Sequence, residues 1–547
     1  MKNHVKSLLT GAMLVIMLAS TALSSFALPM NTDITDNYIY DYYGLSVKAP
    51  VAYKAERVLS ALDYGITANF EPVDLFATAE KLYVVDKGNS QILILDKDYQ
   101  LVKTIRALKD RPATDDQPGY KIPALYRWVR DENGEQKADV VVDSYNYKVL
   151  NKPEGIFVTE DGMIYICDTE NRRVVVCDED GVVYNVYQGI SPSVLDNYVF
   201  KPLKITVDRT GSMQIIAYSV NRGLLEVNSD GEFRTFFGAP AVSFNAADWF
   251  WRLIASDEQK KKLVRNVPTE FSNICIDSKG FIYSTIATVD AEKMASDYIT
   301  YKDSDTGVTG AAAPVQRLSP SGSDVLRRNG MFSPIADLEF NVMDPPQVVD
   351  VAIEETSGRY SILDAKTGRF FTYDVDGNLL YIGGGSSTNQ YGRIKNAASI
   401  ALYGEDIVVS DTGNDTLTVY KITDYARVIN KAVSASANGR YDEALVEWKN
   451  VLDYNSGLYI AYTGLGKAQM RLAMADADLE GYEQALEYFT LANEKSYYSK
   501  TFKELRKDSL SENFTTIIVV AVVLVAGGIA LYVVSKVRKN KKSKRGA

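Results

Sequence analysis

The sequence predicts a mainly β protein: a six-bladed β-propeller, followed by an α-helical domain and one transmembrane helix. Three observations lead there. A four-strand pattern recurs at intervals of about 40–50 residues. The alternation gives way after residue 422 to the spacing of paired helices. Residues 514–535 then run without a charge.

The unit is clearest in KPEGIFVTEDGMIYICDTENRRVVVCDEDGVVYNVYQG, residues 152–189. It divides into strands 154–160, 163–168, 173–178 and 182–188. Glu160-Asp161-Gly162 and Asp178-Glu179-Asp180-Gly181 supply turns, because Asp and Gly tolerate the left-handed backbone that tight turns need. The pattern starts again at Pro72, Lys201, Glu270 (its second half from Val315, VQRLSPSGSDVLRR), Gln347 and Ala397. The sixth unit lacks a fourth strand. AERVLSALDYG, residues 55–65, has the character of a fourth strand and is expected to close the ring from the N-terminal side. The propeller is therefore expected over 50–422.

The units resemble NHL repeats. The resemblance rests on Pro153-Glu154-Gly155, on the turn Asp168-Thr169-Glu170-Asn171-Arg172-Arg173, and on its echoes at Asp86–Gln91 and Asp411–Asn414. In blades 3 and 4 the aspartate is replaced, at Tyr218 and about Thr285. Asp86, Asp168, Asp364 and Asp411 recur where second strands end. Such a ring of carboxylates allows a divalent metal such as calcium. The reading preferred here is structural, with no cofactor: a repeat needs the same turn in every blade, and Asp caps its amides.

After the ring come GRYDEALVEWKNVL (439–452) and EGYEQALEYFTLANE (480–494). Tyr441, Ala444, Trp448 and Tyr482, Ala485, Phe489 resemble the second helix of tetratricopeptide repeats, and 459–473 looks like a first helix. With flanking helices near 423–437 and 496–508, a helical domain is expected over 423–510. It serves either as a stalk or as a peptide-binding groove.

The chain ends set the compartment. Residues 1–28 have Lys2 and Lys6, an apolar run and small residues up to Ala27, the pattern of a secretory signal peptide. Residues 514–535 form the expected transmembrane helix, and the basic tail 536–547 is expected in the cytoplasm by the positive-inside rule. The domains between are then extracellular. Of the 60 Lys and Arg, nine lie in the two terminal segments, leaving 51 against all 70 Asp and Glu. That acidic excess argues against nucleic acid as a partner. Cys167, Cys177 and Cys275 make no disulfide framework. Centring the hairpin at Glu170–Asn171 puts Cys167 opposite Val174 and Cys177 opposite Ile164, too far apart to bond. The single histidine, His4, lies in the signal segment, which removes histidine-based catalysis and metal sites from the mature chain.

First-to-second and third-to-fourth strand turns are uniformly short. The long insertions, 108–150, 239–268, 287–314 and 328–346, all belong to the opposite rim, where binding is expected. Candidate contacts to a ligand or partner are Trp128, the run Trp249, Phe250 and Trp251 in an insertion that reads as helical over 245–264, Glu154 and Arg172. Aromatics of this kind stack on sugars, grip proteins, or pin the insertions to the ring. Gluconolactonase-like propellers are the enzymatic alternative, a metal-dependent hydrolase with Glu154 as a ligand, but their Glu-Gly-Pro-x-Trp pattern is replaced here by Glu154-Gly155-Ile156-Phe157. No catalytic residue is therefore assigned. The layout is similar to Gram-positive surface proteins that accompany carbohydrate uptake systems. It implies a cell-membrane scaffold for a membrane or extracellular protein, such as a carbohydrate transporter, or for a glycan.

Overall fold

The computed structural model describes residues 37–67, 69–130, 136–140, 147–192, 195, 198–238, 270–301, 307–387 and 390–543. The signal segment 1–28, Trp249, Phe250 and Trp251 with the expected helix 245–264, and the end of the basic tail lie outside them. The chain forms two compact units. One is Val51–Glu355 with Arg359–Thr423; the other holds the helices from Asp424 onward, with Ile39–Pro50 and Thr356–Gly358.

The first unit is a six-bladed β-propeller. The innermost strands are Pro72–Ala77, Gly155–Val158, Pro202–Val207, Asn273–Ile276, Val348–Glu354 and Ala397–Tyr403. Each packs beside the next, and the sixth returns to the first, so the ring is closed. Every blade is an antiparallel meander, as short Asp/Gly turns require. In the second blade Cys167 faces Val174 and Cys177 faces Ile164, the register read from the sequence.

The last blade is completed from the other end of the unit. Tyr53–Ser60 is its outer strand, pairing from Thr416↔Ser60 to Ile422↔Tyr53. The core lies between blades. Ile92, Ile94, Ile164 and Val175 fill the gap between the first two, and Leu59, Leu82, Val408 and Leu417 fill the one at the closure. These are β-branched and leucine side chains on both faces of each sheet, so neighbouring blades share one apolar layer.

Blade 4 departs from expectation. It has three strands, Asn273–Ile276, Ile282–Thr285 and Val315–Leu318, and the expected fourth strand in Asp324–Arg328 is reduced to one bridge, Leu318↔Asp324. Side chains take the place of the missing ladder. Asp324 Oδ1 accepts from Arg317 N–H at 3.1 Å, and Arg328 donates to the Val315 carbonyl at 3.2 Å. The open edge is thereby blunted.

The insertions carry some order of their own. Within 108–150, Tyr126–Arg130 pairs with Gln136–Val140, placing Trp128 in register with Ala138. Between the second and third strands of blade 4 runs a helix, Ala291–Tyr301. In 328–346, Phe332, Ile335 and Ala336 are buried.

The second unit consists of helices Asp424–Ala437, Tyr441–Tyr454, Tyr459–Asp476, Leu479–Leu491 and Lys495–Glu512, each packed on the next, followed by Phe514–Ser543. The small residues permit close approach. A Cβ on Gly464 would lie 2.3 Å from the Trp448 ring, and one on Gly466 2.6 Å from Phe489. Phe514–Lys536 is apolar over 23 residues. At 1.5 Å per residue that is about 34 Å, enough to cross a bilayer.

Ring closure generates a prediction. Gly392 has φ +72, and a Cβ there would sit 2.2 Å from Ala55 Cβ on the closing strand. Gly392→Ala is expected to lower propeller stability by roughly 1–3 kcal/mol, seen as a lower denaturant midpoint. An unchanged midpoint would mean that this strand is not held in the last blade.

Candidate functional site: an axial ring and the cavity above it

The first strand of each blade brings one equivalent residue to the propeller axis. Pairing identifies them: Asp74↔Val85, Gly155↔Cys167, Lys204↔Ile216, Asn273↔Thr285, Asp350↔Leu363 and Ser399↔Ser410. In four blades the register shifts immediately before this position, between Pro72/Asp74, Pro202/Lys204, Val348/Asp350 and Ala397/Ser399. A bulge re-aims the side chain that follows it. Four polar side chains that plain alternation would have turned between blades are thereby gathered at the axis.

They bond to one another across the ring. Lys204 Nζ lies 2.7 Å from Asp74 Oδ1 and donates to the Val73 carbonyl at 3.1 Å. Ser399 donates to Asp350 Oδ2 at 2.6 Å and accepts from Leu75 N–H at 3.1 Å. The carboxylates also take strand amides: Asp74 Oδ2 from Ile156, Asp350 Oδ2 from Ile400, and Asp350 Oδ1 from Val351. Gly155 makes this possible. Lys204 reaches from blade 3 past blade 2, and a Cβ on Gly155 would stand 2.9 Å from Lys204 Cα and 2.3 Å from the Leu203 carbonyl oxygen. Burial, with Asp74 beside it, pushes the Asp350 carboxyl up to about 7; Lys204, Ser399 and the Ile400 amide act the other way.

The ring floors a cavity of about 1090 Å³. All six inner strands wall it, and it runs from Asp74, Asn273 and Asp350 to the first-to-second strand turns at Thr159–Asp161, Asp208–Gly211 and Asp277–Gly280. It therefore opens on the face of short turns, opposite the insertions. Phe76 and Phe157 meet edge to face on its wall, with centroids 5.2 Å apart. Cys275 is also on the wall and is partly exposed, whereas Cys167 and Cys177 are buried. Burial raises the Cys275 thiol to about 12, so it is a poor nucleophile.

The recurring aspartates lie elsewhere and are fully enclosed. Asp86 Oδ1 accepts from Glu71 N–H, and its Oδ2 from the Asn89 and Gln91 amides. Asp168 takes Asn151 N–H and pairs with the buried Arg173 at 2.7 Å. Asp364 and Asp411 accept from Gln347 and Asn396 N–H in the same way. Each ties the end of a second strand to the segment entering the first strand. Register places Ala217 and Ile286, one residue along from Tyr218 and Thr285, at the corresponding positions of blades 3 and 4. Among the described residues no cluster of three or more acidic, Cys or His side chains could hold a metal.

Glu154 is ion-paired with Lys87 at 2.9 Å, outside the cavity. Arg172 occupies the turn after Asp168 with φ +57 and makes no ion pair among the described residues. Neither Glu154 nor Arg172 lines the cavity. Asp74, Lys204, Asp350, Ser399 and Asn273 were not singled out from the sequence. The signal available was a polar residue two places after the start of each inner strand, as in Pro72-Val73-Asp74 and Pro202-Leu203-Lys204.

No family model matches the chain, and no curated protein matches it. Solved structures are similar over about two-thirds of its length. Virginiamycin B lyase from Staphylococcus aureus is 10% identical, with 68% of this chain and 100% of that one covered at a TM-score of 0.35. A streptogramin B lyase is 10% identical, covering 69% and 100%, also at 0.35. The Swd1 β-propeller domain of Myceliophteria thermophila is 8% identical, covering 68% and 100% at 0.36. At these values the fold assignment stands on the strand pairing described above.

Two predictions follow from the ring. Lys204→Met leaves two buried carboxylates without their cation and is expected to cost about 3–5 kcal/mol at pH 8, read from urea unfolding. Asp350 has a folded pKa of about 7, above the ~3.9 of an unfolded Asp. The folded state thus holds the extra proton, and Asp350's contribution to stability falls as pH rises from about 4 to 7. Asp350→Asn should remove that component of the pH dependence; an unaltered profile would refute it.

Proposed function

We propose that this protein is a non-catalytic, membrane-anchored receptor that displays an NHL-type propeller and tetratricopeptide-like hairpins outside the cell. The cavity carries the reading. A site of about 1090 Å³ lies at the upper end of small-molecule pockets. The acid–base groups on its floor are bonded to one another and to strand amides, which suits holding a ligand better than transforming one.

Other observations support the finer parts. The Pro-x-Gly entry and the buried aspartate turns fit the NHL pattern. Trp448 against Gly464 and Phe489 against Gly466 fit paired tetratricopeptide-like helices. The apolar helix and the basic residues after it fit an anchor with a cytoplasmic tail. The long insertions, in whose sequence Trp128, Trp249, Phe250 and Trp251 stand, support a second contact with a membrane partner such as a carbohydrate transporter.

Protease applied to intact cells should remove the propeller while sparing a tag fused after Ala547. Digestion of the tag with the propeller protected would overturn the orientation. A chelator such as EDTA should leave the thermal midpoint of the full-length protein within about 1 °C; a fall of several degrees would restore the metal-dependent hydrolase as the better reading.

A further inference from the structure

Asn273 differs from its neighbours in the axial ring. Ile274 N–H donates to its Oδ1 at 2.8 Å, which fixes the orientation of the amide. Its Nδ2 then has no partner among the described residues, although the residue lines the cavity and is only 5% exposed. The atom is not among the side-chain donors sealed away without a partner, so it faces the open cavity, where solvent or a ligand can accept from it. The group it awaits is an acceptor on whatever enters the cavity.

The wall above Asn273 is apolar and incompletely covered. Phe76, Phe157, Met163, Ile276, Ile353 and Leu402 line the cavity, and each keeps part of its surface open. The mouth has the opposite character. Each of the six turns around it carries a carboxylate: Glu80, Asp161, Asp208, Asp277, Glu355 and Glu405. Glu80 is paired with Lys97 at 2.8 Å and Asp277 with Arg317 at 2.8 Å, and of the two cations on the cavity lining Arg209 stands 3.6 Å from Glu160, which leaves Asp161, Asp208 and Glu355 against Lys279. On the floor, Asp74 and Asp350 face one lysine. An anion would meet net negative charge at the mouth, in a site where apolar walls strengthen electrostatics.

We propose that the axial cavity binds a small amphiphilic cation: an apolar body bearing a hydrogen-bond acceptor for Asn273, ending in an ammonium-type group among the mouth carboxylates. The inference rests on the cavity being a binding site, and the test separates the two ideas. Cys275 is the reporter, because it lines the cavity and is partly exposed while the other cysteines are buried. Phenylmercuric acetate reacts with neutral thiols: the phenylmercury cation replaces the thiol proton, and acetate takes that proton away.

The full-length protein in zwitterionic nanodiscs is treated with phenylmercuric acetate, and adducts are located by peptide mass. The probes are dansylcadaverine (a naphthalene sulfonamide with a primary ammonium), its neutral N-acetyl derivative, and anionic 8-anilinonaphthalene-1-sulfonate. The expected result is modification of Cys275 alone, slowed by dansylcadaverine at concentrations about tenfold below those the acetylated form needs, and not slowed by the sulfonate. Asn273→Ala should weaken protection about three- to tenfold. Asp161→Asn with Glu355→Gln should bring the charged and acetylated probes close to equal. If all three probes protect equally, or if these variants change nothing, the ligand class is wrong. If Cys275 reacts but no probe protects it, the class also fails while the open cavity stands. If Cys275 does not react in the free protein, the cavity is not accessible and the binding reading falls with the proposal.

Discussion

The arrangement depends on how buried charge is settled at the propeller axis. Each of the six inner strands is the unpaired edge of its sheet, so some of its amides face the axis without a strand partner. Such donors are expensive to leave unmade. Asp74 and Asp350 answer that need by accepting from Ile156, Ile400 and Val351. Two carboxylates so close require a cation, and Lys204 supplies it. The lysine needs a path, and Gly155 provides one by having no side chain. One electrostatic requirement thus fixes residues in blades 1, 2, 3 and 5, with Ser399 of blade 6 joining the two acids. Removing Lys204 would leave Asp74 buried without its cation.

The same chemistry recurs nearer the insertion face, with a different purpose. There a buried aspartate at the end of a second strand caps the amide that enters the first. The axial ring joins blades to each other; the aspartate turn joins each blade to its own entry segment. Blade 4 lacks most of these devices. It has Ile286 where the aspartate would stand, no bulge before its axial residue, and three strands in place of four. It is also the blade whose axial residue, Asn273, keeps a free donor. Departure from the repeat rule and unspent polarity coincide in one sheet, as is typical where a fold gives up local regularity for a site.

Much of the fold was legible because it rests on local signals. Turns such as Glu160-Asp161-Gly162 need only neighbours in sequence, and the register around Cys167 and Cys177 follows from counting out from the hairpin. The closing strand was legible because 55–65 resembles fourth strands elsewhere, and the helices because Ala444 and Ala485 sit at fixed offsets from Trp448 and Phe489. Blade 4 was misjudged for a physical reason: Asp324 and Arg328 imitate a strand's hydrogen bonds with side chains, which no periodicity records. The axial ring escaped because its members lie on different blades and meet only once the circle closes. Asp74 and Ser399 interact across 325 residues of chain. The bulge hid them further, because simple alternation assigns the third residue of an inner strand to the interface between blades.

Burial and the neighbouring Asp74 push the Asp350 carboxyl up to about 7, within reach of neutral pH. Ser399 gives it a partner in either protonation state. Its hydroxyl oxygen is 2.6 Å from Asp350 Oδ2 and 3.4 Å from Asp74 Oδ1, and it already accepts from Leu75 N–H. With Asp350 ionised, the serine donates to Asp350. With Asp350 protonated on Oδ2, the direction reverses: the carboxyl donates to Ser399, which turns its own proton toward Asp74. A hydroxyl has one donor and two acceptor sites, so both patterns fit without an orphaned group. The net charge of the acids and Lys204 passes from −1 to zero, while the bonds that close the axis persist in number. Either protonation state thus has a hydrogen-bonding pattern open to it on the floor of the cavity.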